Sequence, residues 1–331
     1  MLDISLIGLG NMGSLHLKNI KSLEKTGLCR LSSICDTKHE LADNISEQLQ
    51  IPGYYSIEDL LDNGAVDAAI IATTTSSHLH VARQLIEKNI PVLIEKPVVV
   101  SINEAQELME LALKHNVLIS AGYTELYNSV TKGAASIFKE KPNFYYMDFF
   151  RIGQRSMRNN SKDIDVVHDL MVHDVAVLSQ FIDLKDIKDV SGYFSSYNEN
   201  SEKFDMACVN LILSGDRAVR FLCDRNGTTK IRKFSLSMDD MYGEFDYMDQ
   251  TAQVYKKGKL EAFGDNIWYT QSYDGAKIRY SNNPLMDEIM DFITAAEHKK
   301  GTLTASCWYD VTVTIERIRE VLYDKLKRSR L

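Results

Sequence analysis

No two cysteines in this 331-residue sequence stand in a C-x-x-C spacing. The five that occur, Cys29, Cys35, Cys208, Cys223 and Cys307, are scattered through apolar runs and read as reduced, buried thiols of a cytosolic protein. Positive charge is not in excess: 38 Lys and Arg stand against 46 Asp and Glu, a net charge of −8 with both signs interspersed. That balance argues against nucleic acid or an anionic membrane as partner. No apolar run is long enough to span a bilayer, and no basic segment followed by an apolar run opens the chain. Neither a membrane anchor nor a signal peptide is therefore expected, and the protein is placed in the cytoplasm. Repeats and low-complexity segments are also missing. What is present is 44% hydrophobic composition over a length that suits two domains.

The first thirteen residues organise the rest. Ile4 to Ile7 read as a buried strand, broken at Gly8-Leu9-Gly10-Asn11-Met12-Gly13, after which Ser14 to Ile20 has a helical pattern. This is G-x-G-x-x-G between strand and helix: Gly8 for a tight turn, Gly10 for approach of a pyrophosphate, Gly13 for helix–strand packing, with helix N–H donors facing the anion. The next strand, Leu31 to Cys35, ends in Asp36, where a carboxylate accepts hydrogen bonds from an adenosine ribose and repels a 2′-phosphate. The cofactor expected is NAD. A plain acidic strand end is the competing reading of Asp36.

Strands and helices alternate to about residue 120, giving a doubly wound parallel sheet. Val66 to Ala72 is a strand running into Thr73-Thr74-Thr75-Ser76-Ser77-His78, and Pro91 to Ile94 delivers Glu95-Lys96-Pro97 to the same carboxyl edge, where ligands sit in such sheets. Cofactor contacts are expected at Gly8, Gly10, Asn11, Met12, Gly13, Asp36, Thr37, Thr73, Thr74, His78, Glu95 and Lys96. For His78 the alternative is an imidazole that ties the loop to its helix. Ser101 with Glu104 forms a capping box for the helix that follows, and Gly122-Tyr123 marks the exit, so the domains read as 1–122 and 123–331.

These pieces, with Asp169-Leu170-Met171-Val172-His173 further on, resemble the Gfo/Idh/MocA family of nicotinamide-dependent sugar oxidoreductases. Within it the chain is most similar to the UDP-N-acetylglucosamine 3-dehydrogenase group, through Gly122-Tyr123-Thr124-Glu125-Leu126-Tyr127-Asn128, Arg151-Ile152-Gly153 with Arg158, Ile231-Arg232-Lys233, Gly243 to Tyr247, and Asn283-Pro284-Leu285 with Glu288 and Phe292. It departs from that pattern where Leu126 replaces an arginine, where Thr74, Ser129 and Gln154 replace prolines, and where Asp165 replaces a glycine. The resemblance implies a second domain whose sheet mediates a homodimer or homotetramer.

From Phe144 onward the strands Phe144–Arg151, Val190–Tyr197, Met206–Leu213, Ala218–Cys223 and Lys230–Met238 alternate, with turns at Ser214-Gly215-Asp216 and Arg225-Asn226-Gly227-Thr228. They describe a large open antiparallel sheet with helices on one face, the helices Pro284–His298 and Ser306–Leu326 included. On the helix from Val166 to Ile182, Asp169 and His173 are four apart and share a face, while His168 and Asp174 point elsewhere. Such a pair could be half of a metal site, but no further His or Cys ligand stands at suitable spacing and no metal is expected. It could also be a salt bridge on a solvated helix.

The chemistry expected is oxidation of a sugar secondary alcohol, with the 3-hydroxyl of a UDP-N-acetylhexosamine or its uronate as leading substrate. A free sugar, inositol or dTDP-sugar is the alternative, and a non-catalytic NAD-binding regulator the reading of another class. Lys96, His173 and Asp169 are the catalytic candidates. A lysine must fall from about 10.4 to serve as a base near neutrality, roughly 4 kcal/mol, whereas a histidine starts near 6.5. His173 is therefore expected to accept the proton, Asp169 to orient it, and Lys96 to stabilise charge on the reacting oxygen. Substrate contacts are expected from Tyr123, Arg151, Arg158 and His173, with Arg155 and Arg232 as further members of a basic cluster. Tyr123 has the alternative of packing the domain junction.

Overall fold

A computed structural model of the chain describes residues 1–140, 143–153, 164–196, 203–256, 260–263, 266–269, 275–298 and 301–329. The first half alternates as the apolar pattern demands: β1 (Leu2–Ile7), α1 (Asn11–Glu24), β2 (Cys29–Cys35), α2 (His39–Leu49), β3 (Gly53–Tyr54), α3 (Ile57–Asn63), β4 (Ala68–Ile71), α4 (Thr75–Glu87), β5 (Val92–Ile94), α5 (Ile102–His115) and β6 (Ile119–Ala121). The six strands form one parallel sheet in the order β3-β2-β1-β4-β5-β6. β4 and the three residues of β5 are buried throughout because helices cover both faces. Strand order reverses between β1 and β4, which opens a crevice at their carboxyl ends. Ser101 caps α5 by accepting the Glu104 N–H at 3.2 Å, as its spacing requires.

A 3₁₀ turn (Thr124–Leu126) leads to α6 (Ser129–Glu140), a helix the sequence reading did not contain, and then to β7 (Phe144–Ile152). A π-helical turn (Val167–Met171) runs directly into α7 (Val172–Leu178). Then come β8 (Ile187–Ser195), β9 (Met206–Leu213), β10 (Ala218–Asp224), β11 (Ile231–Met238), β12 (Met241–Asp246) and β13 (Thr251–Lys256). The short pair β14 (Leu260–Phe263) and β15 (Asn266–Tyr269) and the strand β16 (Gly275–Arg279) complete the strands. The large sheet has eight strands in the order β16-β13-β12-β11-β7-β10-β9-β8. It is mixed rather than purely antiparallel: β7 lies between β10 and β11, parallel to the first and antiparallel to the second. Arg225 to Thr228 is thus a crossing over β7 and not a hairpin turn. Alternation tells which face a residue takes, not which strand lies alongside. On the buried face Phe149 stacks between Phe221 and Phe234 at 5.0 and 5.4 Å, and Phe234 on Phe245 at 4.6 Å.

The last elements are α8 (Pro284–His298) and α9 (Trp308–Ser329). The chain divides into two compact units, one of Met1–Tyr127 with Asn283–Glu316, the other of Asn128–Asn282 with Arg317–Leu331. Expected on the second domain, α8 instead belongs to the first unit. Its Ile289, Phe292 and Ile293 join the core of Ile4, Leu6, Ile20 and Leu93, and Asn283 donates to Asn19 of α1 at 2.7 Å. The apolar face of α1 (Met12, Ile20, Leu23) packs in that same core. Among the described residues no helix is long and apolar enough to cross a membrane.

Candidate active site

In the first unit the glycine loop is tight towards the sheet and open away from it. Gly8 has φ +92°, and a side chain there would strike the Ala72 carbonyl; one at Gly13 would strike the Gly8 carbonyl oxygen. At Gly10 nothing lies within 4 Å of where a Cβ would stand, and α1 starts there with no side-chain cap. Exposed Asn11 and half-buried Met12 occupy its first turn. An uncapped helix start beside open space is a fitting seat for a pyrophosphate. Asp36 anchors the loop: its carboxylate accepts the Leu9 N–H at 2.7 Å and the Lys38 N–H at 2.9 Å, beside exposed Thr37. The residues present therefore fit NAD, with the pyrophosphate at Gly10 to Gly13 and a ribose at Asp36.

Thr73 and exposed Thr74 lead into α4, and the Ser77 hydroxyl donates to the Thr73 hydroxyl at 3.0 Å. His78 is buried, with Nδ1 at 3.0 and 3.2 Å from the Pro97 and Val98 carbonyl oxygens and Nε2 at 3.3 Å from that of Thr73. Burial lowers its pKa against those carbonyls. Of the two readings of His78, this is the geometry of the tie: the imidazole joins the Thr73 loop to the turn after Lys96.

Lys96 is half-buried, while Glu95 points inward. The Glu95 carboxylate meets His16 Nε2 of α1 at 2.7 Å and accepts the Lys96 N–H at 3.1 Å. Burial pushes its pKa up, but the His16 hydrogen bond and charge and the nearby Lys96 charge outweigh that, and the net shift is downward. This pair joins the helix of the glycine loop to the lysine turn. A second acid lies close by: Glu288 of α8 is fully buried, and neither of its carboxyl oxygens has a hydrogen-bond partner among the described residues. Burial, then the negative charges of Glu95 and Asp291, raise its pKa well above the carboxylate range. Those influences all favour its neutral form. Neither His16 nor Glu288 was singled out as functional in the sequence. The signal was there, since both stand on apolar stripes, His16 between Met12 and Ile20 and Glu288 between Leu285 and Phe292. Tyr123 is 1% exposed, with Thr312 and Cys307 as polar neighbours, and its ring packs in the unit's interior.

In the second unit the π turn and α7 sort their side chains as the spacing required. His168 and Asp174 are buried, and Asp169 and His173 are half-exposed. Asp174 is held by Arg151, whose Nε and Nη2 donate to its carboxylate at 2.9 and 2.7 Å with both side chains 1% exposed. The same guanidinium lies 5.4 Å over the Tyr247 ring. Arg151, expected as a substrate contact, thus has its charge paired with Asp174 of α7. A buried guanidinium needs a carboxylate beside it, and alternation along β7 places Arg151 inward with Met147 and Phe149. Arg232 is half-buried opposite Arg151 on β11. Arg155 and Arg158 lie outside the described residues. Cys223 on β10 feels Asp174, Arg151 and Asp169, and burial first of all raises its thiol pKa, so it is no nucleophile. Among the described residues no group of three or more His, Cys, Asp or Glu could hold a metal ion.

Residues 2–123 match the model described as the oxidoreductase family, NAD-binding Rossmann fold, named GFO_IDH_MocA. Over 296 residues, 88% of either chain, the sequence is 25% identical to UDP-N-acetylglucosamine 3-dehydrogenase of Acidithiobacillus ferrooxidans. The solved structure of the enzyme of that name and organism superimposes with a TM-score of 0.83 at 22% identity, covering 98% of both chains. Levoglucosan dehydrogenase in complex with NADH and levoglucosan gives a TM-score of 0.80 at 15% identity, over 97% of this chain and 96% of that one.

Proposed function

We propose, from the match of residues 2–123 to the NAD-binding Rossmann model of the Gfo/Idh/MocA oxidoreductases, that this chain is an NAD-dependent enzyme of that kind and oxidises the 3-hydroxyl of a UDP-linked N-acetylhexosamine or its uronate. The observation that carries this is similarity to a UDP-N-acetylglucosamine 3-dehydrogenase along 88% of both chains. Bound NAD supplies the hydride acceptor. The chain's own work is to hold the alcohol and take its proton. His173, half-exposed beside buried Asp174, is the proton acceptor, and Asp169 orients its imidazole. Lys96 donates a hydrogen bond to the reacting oxygen as negative charge gathers there. The Glu95–His16 pair beneath the lysine turn fixes that turn's backbone.

The burial of Arg151 favours a second substrate reading: with that guanidinium committed to Asp174, an uncharged sugar or inositol needs no diphosphate seat from it. A panel of sugar nucleotides, free sugars and inositols, scored by NADH absorbance and product mass, separates the two. Loss of two hydrogens from a UDP-N-acetylhexosamine supports the first. Turnover of inositol or free sugar alone replaces it with the second, and no product with any of them, in mass as in absorbance, returns the chain to the regulator class. The enzyme is further proposed to work in the cytoplasm as a homo-oligomer through the outer face of the eight-stranded sheet, where Phe150, Lys233, Tyr242 and Lys277 line a groove of ≈ 530 Å³. Sedimentation of a Tyr242→Glu variant tests that face.

A further inference from the structure

We propose that His16 and Gly122 form a slot for the Glu95 carboxylate, and that Glu95, held there, is a positioning residue acting on Lys96 by two routes, the lysine's backbone N–H and its side-chain charge. The inference rests on the reading of Lys96 as the residue that meets the reacting oxygen.

The slot stands at the carboxyl edge of the parallel sheet, where β5 ends between β4 and β6. The Glu95 N–H donates to the Ile71 carbonyl at 2.9 Å and the Gly122 N–H to the Ile94 carbonyl at 2.7 Å, so the main chain fixes both residues. A Cβ on Gly122 would stand 3.1 Å from the Cα, the Cδ and the Oε2 of Glu95. That is closer than the ~3.5–4.0 Å of ordinary carbon contacts, and glycine avoids the crowding. His16 of α1 is fully buried and meets Glu95 Oε1 through Nε2 at 2.7 Å. Its Nδ1 has no partner among the described residues, so within them the ring serves Glu95 alone. Oε2 is left for the Lys96 N–H at 3.1 Å.

Each carboxylate oxygen thus has its own donor, and the negative charge has a reason to be there. Burial opposes a carboxylate at Glu95, but the His16 bond and charge, the Lys96 charge and the Lys96 N–H bond together prevail. Glu288, the other buried acid of this region, has no such donor among the described residues. Burial, with the charges of Glu95 and Asp291, favours its protonated form. Of the two acids, the charge falls on the one bonded to Lys96. Attraction between two charges is mutual. The carboxylate therefore steadies the Lys96 side chain as a cation, the form that donates to an oxygen gathering negative charge.

The test is a double-mutant cycle on the single-turnover rate of NADH formation from the sugar that the substrate panel identifies. Its corners are wild type, Glu95→Gln, Lys96→Met and the double variant, each with its NAD affinity measured without sugar. Glu95→Gln keeps the side chain's shape and loses its charge. In the wild-type background it should lower the rate about tenfold or more, with NAD affinity within about threefold. In the Lys96→Met background it should change the rate by less than about threefold. The same factor in both backgrounds, an unchanged rate, or an NAD affinity that falls as far as the rate overturns the proposal. If Lys96→Met turns over as wild type does, or no sugar is oxidised, the proposed function is what fails, and amine labelling decides the inference without turnover. Acetylation of Lys96 at neutral pH, read by mass spectrometry against the other lysines, should be about threefold or more faster in Glu95→Gln, because the neutral amine is the reactive form. An unchanged or slower reaction overturns the inference. Where Glu95→Gln does not fold, Gly122→Ala takes its place in both measurements: it keeps every charge, crowds the carboxylate, and is judged by the same outcomes.

Discussion

Replacing Glu288 with glutamine should stabilise the protein, and more so as the pH rises. The side chain is fully buried, its oxygens have no described partner, and burial together with Glu95 and Asp291 raises its pKa well above the carboxylate range. The folded state therefore keeps a proton that the unfolded state releases near pH ~4.3. With a raised folded value, the stability linked to this group is fully present below the unfolded pKa. It is lost as pH climbs towards the folded pKa, by about 1.4 kcal/mol per pH unit. Each such unit is a sizeable part of ordinary domain stability. Glutamine has nearly the same shape and no proton to hold. The assay is urea denaturation of wild type and Glu288→Gln at steps from about pH 5 to about pH 8. Groups common to both cancel in the difference, apart from the coupled neighbours Glu95 and Asp291. The wild type should lose ground to the variant steadily with rising pH. Equal pH dependence in the two would show that Glu288 does not titrate there and would refute the neutral-acid reading.

Gly13→Ala forces a methyl group against the Gly8 carbonyl, so it should cost about 1–3 kcal/mol and weaken NAD binding, both measurable by thermal shift with and without NAD. Asp36→Ala removes two N–H···carboxylate bonds from the loop, so NAD affinity should fall about tenfold or more and the preference over NADP should narrow, which titration with each cofactor would show. Arg151→Met leaves Asp174 buried without its ion pair and should destabilise by about 3–5 kcal/mol in denaturation; an Arg151 that only touched substrate would instead raise KM at unchanged stability.

Much of the nucleotide-binding half was legible because its parallel strands are continuous apolar runs and its loop chemistry is local. Gly8 and Gly13 make the tight turn and close packing that their spacing demands. The second half was less legible, for reasons that individual residues make plain. The α6 helix carries Gly133 and follows a 3₁₀ turn; its cap, Asn128, which accepts the Val130 N–H at 3.1 Å, is a signal in the sequence that went unused. Strands β12, β13 and β16 are short and polar on one face, and the insertion of β7 between β10 and β11 is a tertiary choice that leaves no mark in either strand. At Arg151 the inward alternation was available, but its charge suggested a ligand. At His16 and Glu288 the helical period placed both groups inside, and only the packing of α1 with α8 explains their neighbourhood. The π turn was invisible because four-residue spacing looks alike in α and π geometry.

The proposed function needs both Lys96 and His173 in the oxidation step. The most direct measurement is single-turnover formation of NADH from the oxidisable sugar in Lys96→Met and in His173→Asn, each shown to bind NAD as wild type does. The expected result is a loss of about 10²–10⁴-fold in the chemical step for each variant. Wild-type rates in either one would contradict the shared role.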